Sequence, residues 1–304
     1  VTQSELRWQS KLVLLLVLPG VGAHVLLEAH WWSVESAPVA IWTLGLAAVF
    51  GLVTFKVRAA TPWAALTGAA ILASVMFATT YFPYLPWRTA LAPVLTVIAI
   101  SFITTRLGRA KKERLGMAES KRGRASSQVA ANLGVAAIAS SEFFQSWLMD
   151  SHGFTNNTAT PMPLFTVALA ALAEAAADTA SSEFGQVFGG TPRMITTLRK
   201  AEPGTDGAIT IAGTLAGVTA AALVAAAGTY ALSGDRTMFW LSCAGGVFGL
   251  LFDSLLGATF ENAGWLNNDA VNFISTASAA VFAVVFLATL RPPPPVPPPH
   301  LILH

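Results

Sequence analysis

The chain has 304 residues, of which 54% are hydrophobic and only 11% charged, with a formal net charge of +2. Soluble domains run near ~25% charged, so this composition excludes an ordinary globular domain and indicates a polytopic membrane protein with helical spans. The single cysteine, Cys243, excludes an intrachain disulfide and a cysteine-based zinc site.

Nine apolar runs of spanning length are predicted, at 12–30, 38–57, 62–82, 88–105, 127–148, 164–183, 207–232, 238–260 and 270–290. The fold expected is therefore an all-α membrane bundle. The first run leads into further spans rather than a soluble domain, so it reads as a span and not as a signal peptide. Two polar connectors are longer than the rest. Residues 106–126 hold eight of the 18 basic residues, and 184–206 hold three more. With the 106–126 connector in the cytosol, 15 basic residues fall inside and three outside. By the positive-inside rule this places the N-terminus in the cytosol, as in a bacterial inner-membrane protein. The final segment, 291–304, is Pro-rich and predicts an extended, disordered tail. The organisation expected is 1–105 as accessory spans, 106–126 as a basic cytosolic loop and 127–290 as the functional core.

The polar groups of that core converge. The stretch "AEAAADTASSEFG" (173–185) carries Glu174 and Asp178 on one helix face, and Thr179 and Glu183 on a second stripe about 100° away. Carboxylates within a span are costly and mark function. In the eighth span Asp253, Gly257 and Glu261 share a face with Gly249, whose small size permits close helix contact. Asn132 opens the fifth span. "NNDAVN" (267–272) opens the ninth, with Asp269 as its expected N-cap. All of these fall on the cytosolic side of the predicted topology.

Their chemistry suits a divalent cation with phosphate. Mg²⁺ takes a few hard oxygen donors and keeps water and phosphate oxygens as its other ligands. Asp178, Glu183, Asp253 and Asp269 are the donors expected. Arg193, Arg199, Lys200 and the basic 106–126 loop supply fixed positive charge for a polyanion. The turn "PGTDG", Pro203 to Gly207, reads as a backbone approach to phosphate leading directly into a helix N-terminus. The Walker A spacing is absent. Nucleic-acid binding is not expected, since the basic run lacks interleaved aromatics. The five histidines are scattered and form no metal-site pattern.

The segments "KRGRASSQVAANLGVAA", "ADTASSEFG", "TPRMITTLRKAEPGTDGAITIAGTLAG", "FDSLLGAT" and "NNDAVNFIST", in this order, resemble an integral-membrane family first catalogued as a domain of unknown function (number ninety-two). Its plant and cyanobacterial members include phytyl-phosphate kinases. The resemblance spans about residues 120–290 and implies Mg²⁺-dependent transfer of a phosphoryl group from CTP, or another nucleoside triphosphate, to an isoprenyl monophosphate lipid. Carried over by motif, the site would comprise Asn132, Asp178, Ser182, Glu183, Thr191, Arg193, Thr197, Gly204, Thr205, Asp253, Asn268, Asp269 and Asn272. Read from the residues alone, a CTP-dependent lipid cytidylyltransferase needs similar groups. An ion-coupled transporter would also use intramembrane acids, but no inverted repeat is visible. A lipid-binding scaffold is the reading without chemistry.

Overall fold

The structure, a computed structural model, describes residues 6–114, 123–152 and 162–290. The Pro-rich tail and residues 115–122 of the basic connector lie outside these. The described chain is helical except for one two-stranded ribbon. In order the helices are α1 (Arg7–Glu35), α2 (Ala37–Lys56), α3 (Pro62–Ala78), α4 (Leu91–Arg106), α5 (Arg109–Arg114), α6 (Ser126–Ser140), α7 (Glu142–His152), α8 (Met162–Phe188), α9 (Ile211–Ala231), α10 (Arg236–Leu256) and α11 (Asn268–Leu290). Strands β1 (Arg193–Met194) and β2 (Ala208–Ile209) pair antiparallel between α8 and α9. Among the described residues five helices are long and apolar enough to cross a membrane: α1, α2, α9, α10 with the turn that extends it, and α11.

Alanine-rich α8 is the axis of the bundle. Every residue from Phe165 to Ala177 is buried, as expected of a helix that is apolar all round. It contacts α4, α6, α9, α10 and α11. Without a hydrophobic drive between helices in lipid, close packing of small residues holds such contacts together. A Cβ at Gly246 would lie 2.8 Å from that of Ala173, and one at Gly217 would lie 2.9 Å from the Ala177 carbonyl oxygen. Neither position of α10 or α9 has room for a side chain.

Helix ends follow local chemistry. Thr61 caps α3 by accepting from the Ala64 N–H (3.3 Å), and Pro62 is pre-set for the first turn. Thr210 caps α9 through Gly213, and Asp235 caps α10 through Met238. At the opposite end of the bundle from the acids of α8, Arg88 donates to the Tyr230 carbonyl oxygen at the end of α9 (2.7 Å), where a cation complements the helix dipole.

Four expectations are corrected. The fifth span, expected over 127–148, stops at Ser140. Ser140 and Ser141 turn their hydroxyls back onto the Ala137 and Ile138 carbonyls, Ser141 is extended (ψ 145°), and a separate α7 begins at Glu142. The remaining 15 residues of α6 span about 22 Å at 1.5 Å per residue, short of a ~30 Å hydrocarbon core. The polar connectors are partly helical, since α5 occupies part of 106–126 and α8 runs on to Phe188. The "PGTDG" turn does not lead directly into a helix. Strand β2 and the Thr210 cap intervene, so the α9 N-terminus lies beyond the turn. Asp269 is not the N-cap of α11; Asn267 Oδ1 accepts from the Ala270 N–H (2.9 Å) and takes that role.

Candidate functional site

The acids meet where α8, α10 and α11 come together. Glu174 is buried on α8, against Gly249 of α10. A Cβ at Gly249 would lie 2.4 Å from Glu174 Cγ. One turn further along α8, Asp178 comes within hydrogen-bonding reach of Asp253 on α10. Ser275 of α11 lies beside both Glu174 and Asp253, and its hydroxyl donates to the Asn272 carbonyl oxygen (3.0 Å). After Leu256, α10 widens into a π-helical turn, Gly257–Glu261, a distortion frequent at functional sites. It brings Glu261 near Asp178 and Asp206 and into the field of Asp253. Glu174 Oε1 and Asp253 Oδ1 are buried and accept no hydrogen bond among the described residues. A buried polar atom without a partner needs an explanation; a bound cation supplies one.

The π turn is held by the loop that follows α8. Gly207 has φ +75°, and a Cβ there would lie 2.1 Å from the Ala258 nitrogen, so only glycine fits. Asn262 Nδ2 donates to the Asp206 carbonyl oxygen (2.9 Å). Partial burial in this contact raises the Asp206 carboxyl above its ordinary range.

Positive charge answers the acids from the basic connector. Arg124 bears on Asp178 electrostatically. Its backbone is anchored by paired bonds to the α2–α3 turn: the Arg124 N–H donates to the Ala59 carbonyl oxygen, and the Thr61 N–H donates to the Arg124 carbonyl oxygen, both at 3.0 Å. Lys112 on α5 is 1% exposed and ion-pairs with Glu183. Its Nζ also donates to the Thr104 (2.9 Å) and Thr105 (3.3 Å) carbonyl oxygens at the end of α4. Glu183 was expected among the metal donors; in the structure Lys112 balances its charge. Neither Lys112 nor Arg124 stands out in the sequence, because both sit inside a charge run that reads equally as a topogenic loop.

The other expected residues divide into two groups. Asn132 and Asn272 are buried and joined, with Asn272 Nδ2 donating to Asn132 Oδ1 (3.0 Å), and Asn268 Nδ2 lies 3.5 Å from Asn272 Oδ1. Asp269 is tied to α1 instead of to the α8–α10 acids: Ser10 donates its hydroxyl to Asp269 Oδ2 (2.6 Å). In the loop, Arg193 Nη1 donates to the Leu198 carbonyl oxygen (2.8 Å), so this arginine braces its own hairpin. Thr205 donates to the Glu202 carbonyl oxygen (2.9 Å), and Ser182 to that of Thr179 (3.2 Å). Thr191, Thr197, Arg199, Lys200 and Gly204 are exposed on the same loop, with Gly204 at φ +87°. Among the described residues no three Asp, Glu, His or Cys side chains are grouped to cage a metal ion. Mg²⁺ on a nucleotide needs only one or two carboxylates, the phosphates completing its shell. Asp178 and Asp253 fit that requirement.

The sequence profile of an integral membrane protein family, DUF92, matches residues 45–280. An uncharacterised membrane protein of Methanocaldococcus jannaschii is 48% identical over 122 residues, 40% of this chain and 51% of that protein. An uncharacterised membrane protein of Synechocystis is 31% identical over 222 residues, 68% of this chain and 77% of that one. The chloroplastic protein VTE6 of Arabidopsis thaliana is 27% identical over 218 residues, 66% of this chain and 60% of its own length. The chain thus spans about half of the M. jannaschii protein and under two thirds of VTE6. No solved structure matches it significantly. The match takes in α3 to α10 whole and most of α2 and α11, including every acid of the α8–α10 cluster, and the chain belongs to the integral membrane protein family DUF92.

Proposed function

We propose that this chain is a membrane isoprenyl-phosphate kinase, moving the γ-phosphoryl group of a nucleoside triphosphate, CTP favoured, onto an isoprenyl monophosphate. The observation that carries this reading is the pair Asp178 and Asp253, brought together by two helices inside the bundle, with a buried carboxylate oxygen left without a partner. Phosphoryl transfer asks the protein for positioning and charge neutralisation more than for covalent chemistry. Asp178 and Asp253 would hold Mg²⁺ on the donor's phosphate oxygens, where it lowers the charge on the group being transferred. Glu174, packed under Gly249, fixes the α8–α10 spacing from behind. Arg124 would steady the anionic partners opposite the acids, and exposed Arg199 and Lys200 would gather the triphosphate from solvent. An oxygen of the lipid monophosphate attacks the γ-phosphorus, the bond from that phosphorus to the β–γ bridging oxygen breaks, and the nucleoside diphosphate leaves. The 15-to-3 distribution of basic residues supports a site facing the cytosol.

The test is thin-layer analysis of purified protein with farnesyl monophosphate, Mg²⁺ and labelled CTP. A kinase places the γ-label, and not the α-label, on the lipid. Transfer of the α-label with release of pyrophosphate would instead make the chain a cytidylyltransferase. No transfer from CTP or ATP to any of several prenyl monophosphates would remove the enzyme reading.

A further inference from the structure

A cavity of about 320 Å³ lies between α2, α3, α4, α6 and α8, on the other side of α8 from Glu174's packing against α10. Its inner walls are mostly apolar, formed by Phe50, Val97, Ile98 and Leu133 around the bare backbone of Gly68, with Ser101 and Asn132 as polar members. At one end it is bounded by Arg58, Arg106, Arg109 and Arg124, and among the described residues no carboxylate lines it. From Arg106 to Val97 is about 13 Å along α4 at 1.5 Å per residue, so the cavity runs well into the apolar part of the bundle. Its volume falls in the range of ligand pockets, about 300–1,000 Å³. An anionic head at the arginines with an apolar chain between α2 and α4 satisfies both ends at once.

The arginines are held for this use. Arg106 stacks over Phe102 (3.7 Å to the ring centroid) and donates to the Val57 carbonyl oxygen (3.2 Å), which fixes its guanidinium at the rim. Arg58 occupies the residue after the α2 C-cap at φ +57°, where the Ala59 N–H closes onto the Thr54 carbonyl oxygen (2.9 Å). Glycine is the usual occupant of that conformation. Arg58 is exposed; its backbone N–H donates to the Phe55 carbonyl oxygen (3.0 Å), while its guanidinium has no hydrogen-bond or ion-pair partner among the described residues. Its left-handed backbone and its place at the cavity rim set this guanidinium where an anionic head would lie. Arg124 and Ala175 join this cavity to the acids: both line it, Arg124 bears on Asp178, and Ala175 follows Glu174.

We infer that this cavity is the acceptor site, binding a phosphate monoester carried on a hydrocarbon chain, with Arg58 and Arg124 reading the phosphate and Ile98 with Gly68 limiting the chain. The inference rests on the proposed kinase reading for its substrate class, and its test needs no turnover. Full-length protein in detergent micelles, without nucleotide, is titrated with farnesyl monophosphate, farnesol and inorganic phosphate. The monophosphate should bind at least about tenfold more tightly than either half alone, a difference of about 1.4 kcal/mol. A diazirine-bearing farnesyl monophosphate should label peptides of α2, α3 or α4. Arg58→Gly removes the charge and relieves the backbone, so it should weaken monophosphate binding about tenfold or more while leaving thermal stability equal or higher. A merely structural Arg58 would not separate the two readouts. Ile98→Trp should reduce photolabelling; should that variant fail to fold, Arg58→Gly alone decides. Unchanged affinity in Arg58→Gly, labelling confined to α9–α11, or equal binding of farnesol overturns the site. Binding here without phosphoryl transfer keeps the site and removes the kinase. Transfer with an unchanged lipid KM in Arg58→Gly keeps the kinase and removes the site.

Discussion

Replacing Lys112 by methionine separates a structural role for Glu183 from a metal-binding one. Lys112 is 1% exposed and Glu183 15% at the side chain, and Lys112 Nζ also serves two carbonyl oxygens at the end of α4. Removing one partner of a buried pair costs about 3–5 kcal/mol, because the other charge is left unpaired. Glu183 keeps some exposure and can turn toward water, so the lower end applies, about 3 kcal/mol. At roughly 2 °C per kcal/mol for a large domain, Lys112→Met should lower the Tm in detergent by about 6 °C. The double variant Lys112→Met/Glu183→Gln removes both charges and should recover to within about 1 kcal/mol of the parent. It should also keep Mg²⁺-dependent turnover, since Asp178 and Asp253 remain. The assay is a thermal shift read by light scattering together with size exclusion, followed by γ-label transfer on the folded fraction. A Tm within about 1 °C of the parent for Lys112→Met would refute the buried-pair reasoning. A double variant that is folded but inactive would return Glu183 to the metal.

The remaining predictions concern the acids, the packing and the topology. Asp253→Asn and Asp178→Asn preserve shape and remove charge, so each should elute as folded protein and lose most phosphoryl transfer; near-normal turnover with unchanged Mg²⁺ dependence in folded Asp253→Asn would sink the metal role. Gly249→Ala places a methyl 2.4 Å from Glu174 Cγ and should cost about 1–3 kcal/mol of stability, read as a lower Tm; an unchanged Tm would mean α10 does not pack there. For topology, cysteines at the exposed positions Thr196 and Thr237, in a Cys243→Ala background, should differ toward an impermeant thiol reagent on intact cells. Thr237→Cys should label and Thr196→Cys should not, and the reverse would invert the orientation.

Much of the acid cluster is legible in the sequence, because helical periodicity is local. Glu174 and Asp178 four apart, and Asp253 with Gly249 and Gly257, declare their faces without tertiary knowledge. The Lys112–Glu183 pair is not legible: 71 residues separate the partners, and no local pattern marks one lysine of a basic run as buried. The early end of α6 escapes for a related reason, since two serines in an apolar window read as helix until their hydroxyls are seen bonding backward. The loop glycines were read as space for phosphate, whereas Gly207 uses that freedom to meet the backbone of Ala258. Apolar residues of α2–α4 that wall the cavity cannot be told from lipid-facing ones by composition alone. That is why those helices read as accessory from sequence.

The position of the acids on α8 follows from what the helix separates. Ala175 faces the arginine-rimmed cavity, while its neighbour Glu174 faces α10 and α11. A helix turns about 100° per residue, so adjacent positions address different compartments. In the proposed reaction two phosphate groups must meet, and each carries negative charge that repels the other. The fold supplies different countercharges on the two sides of one buried helix: guanidinium groups on the cavity side, and on the other side carboxylates suited to a cation. Alanine suits α8 here because its small side chain lets neighbouring helices close around it and keep water out, which strengthens both sets of interactions. Asp178, one turn beyond Glu174 and within the field of Arg124, lies where the two sides join. The carboxylates are costly on this helix, and adjacent positions of it, Glu174 and Ala175, face the acid cluster and the cavity in turn.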